Sequence, residues 1–200
     1  MQAIKLFIYK NKTAFIVAAV LFFAGSVFGS VSSCRLEPSQ ADELKGYISP
    51  YLESGAASSV ELGDIFAADC ANHLRFVAQA LLCGLSIYLV PLFAFMLAAK
   101  GYQMGFAMGF VCANFGRKGI YLALSSTLMS YLFAIPLYFC IFVHLIKFCA
   151  NMKNNAHISI RERRREYFSY FLIMIVACSL LCALSGLGAV LTPLIVDFMN

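Results

Sequence analysis

Lys100-Gly101-Tyr102-Gln103-Met104-Gly105-Phe106-Ala107-Met108-Gly109-Phe110 is the stretch on which the fold turns. Glycine recurs at every fourth position, Gly101, Gly105 and Gly109, so the three line one face of a helix. A face without side chains lets a second backbone approach closely. Residues 101–116 carry no charge. Sixteen residues of helix rise only about 24 Å, short of the roughly 30 Å of hydrocarbon in a bilayer. A crossing here implies local thinning or a partly buried helix. Gly25 and Gly29 repeat the four-residue spacing near the amino terminus, which makes the two segments packing partners or homo-oligomer contacts.

The sequence around this stretch is that of a membrane protein. Hydrophobic residues make up 62% of the 200 and charged residues 12%, against about 45–50% and about 25% in soluble domains. Too few polar residues remain to coat a soluble surface. Residues 13–33, 76–99, 119–146 and 167–196 are free of Asp, Glu, Lys and Arg. Each run is as long as the roughly 20 residues that cross a bilayer. The first follows Lys5, Lys10 and Lys12 like a secretory signal, but is longer than a usual signal core of about 7–15 residues and reads as an uncleaved anchor.

Lys and Arg set the orientation. The tail, residues 1–12, is basic, and the segment 149–166 with its flanks holds Lys147, Lys153, Arg161, Arg163, Arg164 and Arg165; both belong in the cytoplasm. Residues 34–75 are net acidic and belong outside. Spans at 13–33, 76–99, 119–148 and 167–198 satisfy this only if residues 101–116 also cross. The expectation is an all-α bundle of about five spans, amino terminus cytoplasmic and carboxyl terminus outside, in a bacterial cell membrane. A re-entrant 101–116 segment would put the basic loop outside.

Between the first two spans, Ser39 with Asp42 three residues on reads as a helix start. Ala41, Leu44, Ile48, Tyr51 and Leu52 then form an apolar stripe, with Pro50 expected to kink or end the helix. Residues 54–59 read as a turn before Ile65 and Phe66. Leu44, Ile48, Tyr51, Leu52, Ile65 and Phe66 are a candidate partner-binding surface, or else the apolar side of a simple amphipathic connector. Cys34 and Cys70 lie near the membrane ends of this outward segment, where the compartment permits a disulfide. The other six cysteines read as small packing residues.

Chemistry-bearing patterns are sparse. Neither metal-ligand spacing nor HExxH nor GxSxG occurs, and no cofactor or nucleic-acid partner is expected. Ser86 after Gly84-Leu85, with His144 as base, is the nearest approach to an intramembrane serine protease, but Ile87 stands where a glycine is needed. No acid or lysine falls near the middle of a charge-free run, which argues against a proton-coupled carrier. Pro91, Pro136 and Pro193 read as kinks. Residues 161–165, Arg-Glu-Arg-Arg-Arg, fix topology and can attract anionic headgroups. The reading is a membrane scaffold or permease subunit and not an enzyme.

The order of these blocks resembles the stage II sporulation M family across essentially the whole chain. The resemblance rests on Phe22-Phe23-Ala24-Gly25-Ser26-Val27-Phe28-Gly29, the Lys100-to-Phe110 block, Ser125-Ser126-Thr127-Leu128 before Ile135-Pro136, and the basic loop before a last span. It implies a role in endospore engulfment, as an organiser that recruits the peptidoglycan-cutting stage II sporulation proteins D and P. No ligand or catalytic residue carries over, because the family motif is a packing motif. The alternative is a permease-like membrane subunit of an ATP-driven transporter.

Overall fold

The computed structural model describes the backbone of residues 11–53, 62–122, 129–154 and 160–199, and side chains within 11–46, 66–116, 133–153 and 161–186 together with position 63. Every regular element among them is helical: α1 (Lys12–Ser33), α2 (Pro38–Glu53), α3 (Leu62–Cys83), a 3₁₀ turn (Ile87–Leu89), α4 (Val90–Leu122), α5 (Met129–Asn154) and α6 (Ile160–Met199). The protein is a polytopic helical membrane bundle. Four segments are long and apolar enough to cross a bilayer: Lys12–Ser33, Ile87–Gly116, Phe133–Lys153 and Arg161–Gly186. A further helix, α3, has 22 residues and packs against α4, α5 and α6.

Direction follows from the contacts. Gly101 of α4 meets Phe22 of α1 and Gly109 meets Ser30 and Ser33, so α1 and α4 are parallel. His73 of α3 meets Tyr138 of α5, while Cys83 meets Cys149, so these two are also parallel. Tyr170 of α6 reaches Ala80 and Ser185 reaches Asp69, so α6 runs opposite to α3.

The apolar sequence is divided differently from the charge-free runs. Residues 76–99 are not one span: their first third ends α3, the chain turns at residues 84–86, and the rest begins α4. Three short-range backbone bonds close the turn, from Gly84 to Ala80, Leu85 to Leu82 and Ser86 to Cys83. Pro91 falls in the first turn of α4, where a missing N–H costs no intrahelical bond. Lys100 ends no helix. It lies near the midpoint of Ile87–Gly116, so residues 101–116 are the second half of a full-length helix and no thinning is required. That helix kinks at Gly116, whose φ of 55° and ψ of −134° suit glycine.

Two smaller differences concern α2. It begins at Pro38, two residues before a helix capped by Ser39 would, with Ala41 N–H donating to the Glu37 carbonyl at 2.9 Å. It also continues past Pro50 to Glu53. The core lies among α1, α3, α4, α5 and α6, where Phe22, Phe76, Phe93, Tyr138, Phe142 and Met174 are buried together. Ring contacts such as Phe76–Tyr138 at 4.8 Å and Phe93–Phe142 at 6.2 Å tie the helices.

Candidate functional site: a glycine seam and a buried polar cluster

The five glycines singled out by spacing meet along one seam. A Cβ on Gly25 would collide with the carbonyl of Ala98, and one on Gly29 with that of Tyr102. From the other side, a Cβ on Gly101 would strike the Phe22 carbonyl and one on Gly105 the Ser26 carbonyl. At Gly109 it would lie 3.0 Å from the Ser30 Cα. Backbone lies directly on backbone, a separation that only glycine permits. Ser30 Oγ locks the seam by donating to the Gly105 carbonyl at 3.0 Å, and Ser33 Oγ donates within α1 to Ser30 at 2.7 Å.

Beside this seam lies a polar cluster that spacing did not reveal. Lys100 of α4 donates from Nζ to Asn72 Oδ1 of α3, and its ammonium stands 5.9 Å from the centre of the Phe76 ring. On α3, Asp69 Oδ2 lies 3.6 Å from His73 Nε2. The other ring nitrogen, Nδ1, shares a 2.7 Å hydrogen bond with the Tyr138 hydroxyl of α5. Ser185 of α6 stands beside Asp69 and bonds its own Leu181 carbonyl at 3.2 Å. One acid, one base, an imidazole and three neutral groups thus join four helices. An ionisable group inside a membrane bundle needs a partner, and here Lys100 has Asn72 and the nearby Asp69.

The expectation that residues 34–75 lie wholly outside is corrected by this cluster. Asp69, Asn72 and His73 stand inside the bundle because the faces of α3 alternate at helical spacing. The available signal was the i, i+3, i+4 and i+7 set Asp69, Asn72, His73 and Phe76. It was masked because these polar residues read as an aqueous segment. His73 is 3% and Tyr138 0% exposed, so neither has a surface from which to meet a substrate. The cluster ties α3 to α4, α5 and α6.

The remaining sites separate. All eight cysteines are free thiols; Cys70 faces Cys182 of α6 and is not bonded to Cys34, because α3 turns it into the bundle. Of the candidate partner face, the side chains of Ile48, Tyr51, Leu52 and Ile65 lie outside the described residues. Leu44 is half-buried. Phe66 is 39% exposed and borders Gly186 of α6. Among the described residues α2 packs extensively against none of the other helices. The His144 Nε2 makes no hydrogen bond, so it is not poised on Ser86. Among the described residues no group of His, Cys, Asp and Glu is arranged to hold a metal ion.

With this geometry in place, comparison with models of known families gives one match: Stage II sporulation protein M, over residues 18–193. The chain belongs to that family. The matched region takes in part of every described helix, including the whole glycine seam and polar cluster. Neither the curated proteins nor the solved structures contain a match. Family membership makes this a sporulation membrane protein.

Proposed function

We propose that the protein is a non-enzymatic scaffold of endospore engulfment that recruits and organises the peptidoglycan-cutting stage II sporulation proteins D and P in the mother-cell membrane. The observation that carries the reading is the family match across residues 18–193. The buried cluster supports it, since its polar groups cross-brace helices and do not face a substrate. In this reading the chain crosses five times, with the basic amino-terminal tail and the loop before α6 in the cytoplasm and the carboxyl terminus outside. α2 then faces the compartment where wall is cut. Its face containing Leu44, Ile48, Tyr51 and Leu52, with Ile65 and Phe66 beyond it, is the proposed partner contact.

Deletion of the protein in sporulating cells tests the role. Engulfment is expected to stall, with the wall-cutting proteins dispersed around the mother-cell membrane. Normal engulfment in the deletion would contradict it. The permease-like reading draws on one observation, an acid, a lysine and a histidine clustered between helices. It predicts instead that an ATP-binding subunit copurifies through the loop at residues 149–166.

A further inference from the structure

A groove of about 400 Å³ opens between α5 and α6 on the outer face of the bundle. Its walls are apolar, with Leu137, Ile141, Met174, Ala177 and Leu180 among them, and His144 stands at one end. From Leu137 to His144 the groove follows α5 for about 10 Å. A second hollow of about 210 Å³ shares His144 with it and is more polar: Lys147, Asn151, Glu166 and Ser169 line it together with Phe148 and Tyr170. Side by side they offer a slot with an apolar shaft and a more polar head.

Three observations choose the occupant. First, the polar end is the basic end of the molecule: Lys147 and Lys153 on α5 and Arg161, Arg163, Arg164 and Arg165 on α6 outweigh Glu162 and Glu166. Second, His144 lines both hollows, and its buried Nε2 has no hydrogen-bond partner. Buried polar atoms almost always have one, and an ester or phosphate oxygen at this point would supply it. Third, the ring cannot swing elsewhere freely, because it is stacked on Tyr170 at 5.6 Å. Tyr170 is itself held by its bond to Ala80 and by Phe148 at 4.2 Å.

We infer that this slot binds one anionic phospholipid, with an acyl chain in the α5–α6 groove and the headgroup at His144 and Lys147. Lys147 faces the phosphate, His144 donates to an ester or phosphate oxygen, and Glu166 accepts from a headgroup hydroxyl. The site is independent of the scaffold role.

The chain contains no tryptophan, so one introduced residue reports alone. Val176, which lines the groove, is 50% exposed; Phe23 of α1, next to the Phe22 that meets Phe139 of α5, is 59% exposed and does not line the groove. The full chain carrying Val176→Trp is reconstituted in bilayers with brominated phosphatidylglycerol or brominated phosphatidylcholine. Quenching should show about fivefold preference for phosphatidylglycerol, the equivalent of ~1 kcal/mol for one basic group at an anionic surface. The preference should vanish on adding Lys147→Gln, fall on adding His144→Phe and survive Lys147→Arg, while Phe23→Trp shows none. Equal quenching by both lipids, or a preference that ignores Lys147→Gln and His144→Phe, would overturn the site. Protection of Val176→Trp from both lipids would place a protein in the groove and overturn it equally.

Discussion

At the scale of single residues, the seam and the cluster make opposite demands, and each can be tested by a small change. A methyl group at Gly105 has nowhere to go, because the obstacle is the Ser26 backbone and not a flexible side-chain tip. Gly105→Ala should therefore destabilise the protein by about 1–3 kcal/mol, the usual range for overpacking. Gly46→Ala on α2 has open space around it and should be neutral or stabilising by about 0.5–1 kcal/mol. Thermal unfolding in detergent compares the two. For the cluster, Asn72→Leu leaves the Lys100 ammonium without this acceptor, and losing a hydrogen bond to a charged group costs about 1.5–3 kcal/mol. Lys100 is only half-buried, so the lower end of that range applies. Lys100→Met should cost less, and the double variant should recover most of the loss from Asn72→Leu. A double variant as unstable as the sum of the singles would show that the two side chains do not act on each other.

At the scale of elements, the deciding question is where the chain turns. Charge pattern placed a helix end at Lys100 because lysine normally marks a membrane edge. That inference fails when a lysine finds Asn72 and Asp69 inside the bundle. The turn sits instead at residues 84–86, within an unbroken apolar run where no charge could mark it. Four alanines inserted after Ala99 would shift Gly101, Gly105 and Gly109 by about 6 Å and about 40° relative to Gly25 and Gly29. Such an insertion should abolish the folded state in detergent, whereas the same insertion after Leu85 should be tolerated. The reverse outcome would restore a loop at Lys100. The glycine spacing was legible because a small-residue face has one use in a lipid-solvated helix. The partners of α3 were not, because pairing between Asp69, His73, Tyr138 and Ser185 depends on three helices distant in sequence.

At the scale of the whole molecule, length and composition were enough to read a polytopic α-helical bundle, while its internal bracing needed coordinates. The parallel pairing of α1 with α4, and of α3 with α5, fits a chain whose five crossings alternate in direction. Fluorescent-protein fusions ending at residue 85 or 153 should glow, since that reporter folds in the cytoplasm, and fusions ending at residue 36 or 116 should stay dark. Among the described residues such a bundle gathers its polar cluster between helices and leaves one helix, α2, without extensive packing. A molecule of that shape is suited to holding partners in place. The measurement that tests this most directly is affinity capture of the intact protein from the membranes of sporulating cells. The account predicts that the peptidoglycan-cutting stage II sporulation proteins D and P come with it, and that changing Leu44 and Phe66 to charged residues releases them while the bundle stays folded. Recovery of an ATP-binding subunit without either wall-cutting protein would contradict it.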